Sequence, residues 1–171
     1  PGGHVFVHAG LLAAAGNAAE LAGVMAHEVA HGVARHSTER MTKAYGINVI
    51  ANLLTGQDAG LIEQIATQIA GSGALAKFSR DDEREADRLG LHYLVDTGYD
   101  PAGMAAMFET MLSLRQRRPG AVEQFFSTHP LTEERIANMR AEAEALAPGE
   151  NLALDDEAFR RVQAQVQRYV P

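Results

Sequence analysis

Apolar positions along the chain recur mostly at helical spacing. After Asn17, whose partner Glu20 stands where a capping box needs it, Leu21, Val24, Met25 and Val29 keep a roughly helical spacing. This predicts a long helix running from Asn17 toward Lys43. Ser79 followed by Asp82 signals another start, with acidic residues in the first turn and Gly98 at the end. Asp100-Pro101 opens the next helix, whose stripe of Met104, Met107, Phe108, Met111 and Leu112 reads as core and runs out near Arg118-Pro119. Thr132 caps a further helix, with Leu131 and Ile136 as a hydrophobic staple and Pro148-Gly149 as its stop. A last amphipathic stretch presents Phe159, Val162 and Val166.

Period-two alternation occurs at His4 to His8, around Val5 and Val7, and predicts one short strand before Gly10 turns the chain. From Tyr45 to Phe78 an apolar pattern is broken by Gly46, Gly56, Gly60, Gly71 and Gly73. Core helices with glycine breaks are the plainer reading, and a lid or groove wall the alternative. The expected fold is therefore mainly α (α+β), a single domain over residues 1–171 with a small N-terminal β element.

Composition narrows the function. The chain has 171 residues, 46% hydrophobic and 22% charged, which suits a folded globular domain and excludes disorder. A net charge of -7 argues against nucleic-acid binding, which needs excess lysine and arginine. The basic cluster from Arg115 to Arg118 suits a helix C-terminus instead. With no cysteine, thiolate metal sites and disulfides are out of reach. The uncharged stretches Ala44 to Gln57 and Gln64 to Ala76 are shorter than the roughly 20 apolar residues that span a bilayer. The opening Pro1-Gly2-Gly3 carries neither methionine nor signal, so a targeting segment is expected upstream.

The chemistry begins at His27-Glu28-Val29-Ala30-His31. Histidines four apart on a helix project to one point suited to a tetrahedral zinc ion, and Glu28, one position round, can act as general base toward a water held there. Chance alone yields HExxH in roughly two such chains in a hundred, so the motif needs independent support.

A catalytic zinc needs a third protein ligand, and the candidates are His36, Glu83, Glu85, His92 and His129. Ala34 and Ser37 stand where the metzincin pattern requires Gly and His, which disfavours that class. While the helix continues, His36 lies on its opposite face and reads, with Arg35, as a structural or helix-packing pair or equally as part of a solvated face. Glu83 and Asp87, four apart, point one way, so one carboxylate can bind zinc while the other orients a histidine ligand. Glu85 would face away toward solvent. The bland alternative for Glu83 and Asp87 is an acidic helix N-terminus matched to the macrodipole.

Three motifs in order then carry a resemblance: HEVAH with the trailing Arg35-His36, the run Ser79 to Asp87 (SRDDEREAD), and Ser127-Thr128-His129-Pro130 with Arg135. The chain resembles the gluzincin zinc metallopeptidases, and within them the family that holds the CAAX prenyl proteases, HtpX, Oma1 and the BepA-like periplasmic peptidases. The resemblance implies a zincin-like domain with one Zn2+ per chain bound by His27, His31 and Glu83, Glu28 as general base, and Asp87 supporting a histidine ligand. It places His129 and Arg135 near the scissile carbonyl to stabilise the tetrahedral intermediate. In BepA-like members the matching histidine instead caps the zinc, which would make His129 a switch. Relative to the family the chain lacks spanning helices and a helical-repeat domain, and so looks like a minimal soluble member. The family's substrate strand pairs near the position of Gly2 to Val7.

The activity so implied is hydrolysis of internal peptide bonds in misfolded or membrane-associated proteins, in the periplasm or cell envelope and with peripheral membrane association. Its partners would be protein or peptide substrates, with no nucleic acid, and nothing in the sequence sets the oligomeric state. The rivals are a zinc-containing chaperone-like or assembly-factor module with little proteolysis, and a zinc hydrolase acting on a non-peptide substrate.

Overall fold

A computed structural model of the chain describes residues 4–43, 46, 77–146 and 152–169. Its elements are α1 (Ala9–Ala14), α2 (Ala18–Val33), α3 (Arg80–Asp96), α4 (Ala102–Arg117), α5 (Pro119–Thr128), α6 (Glu133–Leu146) and α7 (Glu157–Val166), with a further helical stretch over 36–43. The mainly helical class expected from the sequence is what the chain adopts. The segment between Tyr45 and Phe78 lies, apart from Gly46, Lys77 and Phe78, outside the described residues, as do Pro148 and Gly149.

Local signals set most boundaries. Asn17 caps α2 by accepting a hydrogen bond from the Glu20 backbone N–H. The Glu20 carboxylate takes the Gly16 N–H at 2.7 Å rather than closing the box on Asn17. Ser79 and Asp82 form a full reciprocal capping box at the start of α3, and Gly98, with φ of 82°, receives the chain beyond its end. The Asp100 carboxylate accepts the Ala102 N–H at 2.8 Å, and Thr132 Oγ1 accepts the Arg135 N–H at 3.2 Å to open α6.

Three sequence expectations change. Residues 4–8 form no strand: among the described residues they have no partner to ladder with, and Phe6 is 87% exposed. The β element of the described residues is one isolated parallel bridge, Tyr99 to Ala153. The helix begun at Ala18 stops at Val33, because Arg35 adopts a left-handed φ of 59° and the chain turns before helix resumes at 36. On α7, Phe159 is buried but Val162 is exposed. Gln163 takes the inward position, donating to the carbonyls of Leu12 at 3.2 Å and Ala15 at 2.6 Å.

The core is built by Val24 of α2, Leu91 and Leu94 of α3, the Met104, Met107, Phe108 and Met111 stripe of α4, and Ile136 and Met139 of α6. Small residues bring these helices close. A Cβ on Gly23 would lie 2.5 Å from Met104 Cα, and one on Gly103 would lie 2.5 Å from the Ala19 carbonyl carbon. Gly90 does the same for α3 against α2, where an added Cβ would meet the His27 backbone nitrogen at 3.1 Å. These contacts bring α3 and its carboxylates against the histidine face of α2. Because Gly23 faces backbone, Gly23→Ala is expected to cost about 1–3 kcal/mol, toward the upper end of that range. Urea unfolding should show a lowered midpoint at unchanged slope; an unchanged midpoint would mean that the two helices can part freely.

Candidate metal centre

His27 and His31 sit on the buried side of α2 and meet across one helical turn, Nε2 to Nε2 at 3.1 Å. From α3, the buried Glu83 carboxylate places Oε2 3.6 Å from His27 Nε2 and Oε1 3.5 Å from His31 Nε2. His129, just past α5, brings Nδ1 to 3.3 Å from His27 Nε2 and 3.0 Å from Glu83 Oε1. The four residues thus offer ligand atoms lying within 4.8 Å of one another.

These separations fit a metal. Zinc–nitrogen bonds of 2.0–2.1 Å give a tetrahedron whose edges are about 3.3 Å, against observed donor separations from 3.0 to 3.6 Å. Among the described residues, the buried side-chain polar atoms without a well-formed hydrogen bond are His27 Nδ1, which faces Asp87 rather than the other donors, and Glu83 Oε2, which has Arg135 beside it. Imidazole nitrogens and a carboxylate packed together in this way could hold a metal ion. The donors also suit zinc by type. Burial, followed by the nearby His27, His129, His36 and Arg135, pushes the His31 pKa down to about 2, so its ring is neutral and ready to ligate at physiological pH.

Around the donors lies a buried charge network. Asp87 Oδ1 stands 3.0 Å from His27 Nδ1, off the line of a good hydrogen bond. Arg135 grips Asp87 with a two-pronged contact, Nε to Oδ2 at 2.8 Å and Nη2 to Oδ1 at 2.7 Å. Its Nη1 donates to the Pro130 carbonyl at 2.7 Å and lies 2.5 Å from Glu83 Oε2. Burial alone would raise the Asp87 pKa, but the His27 and Arg135 contacts hold it below the ordinary carboxylate value. Burial likewise disfavours charged Arg135, and Asp87 and Glu83 more than reverse that.

Glu28, half-buried, is not a member of the donor cluster; its Oε1 lies 3.3 Å from His129 Nε2. His129 therefore touches the cluster with one ring nitrogen and Glu28 with the other. Its ring stacks on Phe125 at 4.7 Å, while Phe78 lies 4.0 Å from the His31 ring and Phe108 meets His27 edge-on at 5.6 Å. This aromatic wall keeps water from the back of the imidazoles.

Residues 1–143 match the sequence profile described as peptidase family M48. The chain belongs to that family. It is 30% identical over 156 residues to the beta-barrel assembly-enhancing protease of Escherichia coli (strain K12), covering 86% of this chain and 32% of that protein. It is 36% identical over 136 residues to the mitochondrial metalloendopeptidase OMA1 of Schizosaccharomyces pombe, covering 80% of this chain and 40% of that one. To the metalloprotease YcaL of Escherichia coli (strain K12) it is 34% identical over 142 residues, covering 81% and 54%. The chain thus spans between about a third and about half the length of these M48 relatives. The gluzincin resemblance and this membership agree.

All the residues singled out for the site, His27, Glu28, His31, Glu83, Asp87, His129 and Arg135, come together. His92 does not join the cluster. The expectation that His36 faces away from the site fails, because it assumed a continuous helix. The turn at Arg35 folds His36 back, buried, with Nδ1 2.9 Å from His31 Nδ1. Its Nε2 lies 3.3 Å from Glu85 Oε2, so Glu85 is half exposed as expected yet also reaches inward. A left-handed non-glycine residue costs about 1–2 kcal/mol, and no glycine marks the turn in Val33-Ala34-Arg35-His36. The local sequence therefore carried no signal for it. Helix α5, which presents Phe125 and Thr128 before His129, was also missed in the sequence.

Proposed function

We propose that this chain is the catalytic part of a zinc metalloendopeptidase, cutting internal peptide bonds of misfolded or membrane-associated proteins of the cell envelope, in the periplasm. The observation that carries this is the meeting of His27 Nε2, His31 Nε2 and the Glu83 carboxylate at tetrahedral spacing, with Glu28 beside them. Zinc bound there would polarise the scissile carbonyl and lower the pKa of the attacking water. Glu28 accepts the proton of that water and returns it to the leaving amine. Asp87 orients His27, and Arg135 holds both Asp87 and Glu83 in place. With four of its five N–H donors directed at Asp87, Glu83 and Pro130, Arg135 acts mainly as a positioning residue. The family resemblance supplies the envelope setting, and among the described residues no helix is long and apolar enough to cross a membrane.

His129 is read as a cap. A catalytic zinc site keeps one position open; His129 Nδ1, beside His27 Nε2 and Glu83 Oε1, would fill it as a fourth donor, while its Nε2 lies against Glu28. Substrate entry requires this ring to leave, after which it can serve the tetrahedral intermediate. A closed set of four donors also favours a second reading, a zinc-containing chaperone-like or assembly-factor module with little proteolysis. Zinc content and casein cleavage of the wild type and His129→Ala separate the two. The protease reading expects His129→Ala to retain zinc and cleave several-fold faster than the wild type. Zinc-loaded proteins that are both inert would favour the module.

A further inference from the structure

The two histidines of α2 are supported differently. His27 faces the Asp87 carboxylate directly. Among the described residues no carboxylate faces His31 Nδ1; there it meets a second imidazole, His36, and behind that Glu85. We propose that His36 is a positioning residue that, anchored by Glu85, sets the tautomer and ring orientation of His31 for metal binding. This rests on the reading of His31 as a metal ligand.

Donors and acceptors along this line constrain one another. An ionised carboxylate only accepts, so Glu85 Oε2 requires a proton on His36 Nε2. With a single ring proton placed there, His36 presents a bare Nδ1. At 2.9 Å, that nitrogen accepts only if His31 Nδ1 carries the proton. His31 Nε2 is left as a lone pair, and Nε2 is the atom that faces His27 Nε2 and Glu83 Oε1. Each assignment forces the next, from a half-exposed carboxylate at the surface to the buried donor cluster.

Packing holds the chain of contacts in place. The His31 and His36 rings meet edge to face at 4.9 Å, with Phe78 4.0 Å from His31 and 6.3 Å from His36. Arg40, one helical turn after His36, lies over Phe78 at 4.5 Å. The left-handed Arg35 is the joint that makes the arrangement reachable: an uninterrupted helix would carry His36 to the far face. The mechanism of peptide hydrolysis assigns no other task to either His36 or Glu85.

The test uses the full chain and zinc alone. In wild type stripped of metal, nitrogen-15 shifts of His31 should report Nδ1–H and bare Nε2. Chelator competition should show zinc affinity lowered about 10- to 100-fold in His36→Phe, which keeps a ring but no acceptor. In His36→Gln, whose side-chain oxygen can accept from His31, a large part of that affinity should return. Glu85→Ala, at the half-exposed end, should weaken zinc binding in the same direction and loosen the His31 tautomer preference, and it serves if His36→Phe does not fold. The proposal is overturned if His31 carries its proton on Nε2 in the metal-free wild type, or if folded His36→Phe and Glu85→Ala bind zinc as the wild type does. A wild type that binds no zinc would sink the metal-centre reading instead, while the nitrogen-15 shifts would still decide the tautomer.

Discussion

Glu28→Gln is expected to lower casein cleavage by about 100- to 10,000-fold while leaving zinc content at the wild-type level. Glutamine keeps the length and the hydrogen-bonding oxygen of glutamate and loses only its ability to take a proton. Because Glu28 lies outside the cluster of His27, His31, Glu83 and His129, the substitution removes no metal donor. Its contact with His129 Nε2, at 3.3 Å, involves a carboxylate a third exposed and adds little stability. Melting temperature should therefore stay close to that of the wild type. Combining the change with His129→Ala sharpens the result: uncapping should raise cleavage where Glu28 is intact and have almost no effect where it is glutamine. Cleavage by Glu28→Gln at the wild-type rate would remove Glu28 from the mechanism.

The second large effect concerns stability. Arg135→Ala strips the guanidinium that contacts two buried carboxylates, Asp87 with its paired contacts at 2.7 and 2.8 Å and Glu83 at 2.5 Å. Leaving such charges buried and uncompensated costs about 3–5 kcal/mol. For a chain of this size that lowers Tm by roughly 6–20 °C. Arg135→Lys keeps the charge but not the fork that holds both Asp87 oxygens, so it should recover only part of the loss. Scanning calorimetry of the three proteins, metal-free and zinc-loaded, checks this. The outcome also discriminates between roles: an Arg135→Ala protein of wild-type stability that has lost cleavage alone would restore Arg135 as a donor to the tetrahedral intermediate.

Much of the site is encoded locally. His27 and His31 share a helix face by spacing alone, and Glu83 and Asp87 do the same on α3, whose start is written in Ser79 and Asp82. Short-range periodicity of this kind needs no knowledge of the rest of the molecule, which explains why the motifs and most helix caps could be read directly. The short strand expected at His4 to His8 failed for the converse reason: alternation shows only that a segment can pair, and no partner is supplied among the described residues. Val162 and Gln163 exchange roles on α7 because the carbonyls left by Leu12 and Ala15 make a polar side chain the better inward choice.

By itself the sequence determined that two helices would each present a matched pair of chemical groups, and, through three motifs in order, which family they belong to. Only the tertiary structure decided how those pairs meet. Gly23, Gly90 and Gly103 permit helix approaches that place Glu83 against both histidines. Arg135, remote in sequence, becomes the counter-charge of Asp87. His129 swings neither free nor outward but spans the donor cluster and Glu28. His36 enters the site through a backbone conformation that its own residues disfavour and that surrounding contacts hold in place. These outcomes depend on contacts between distant segments, whose energies no local pattern of residues contains.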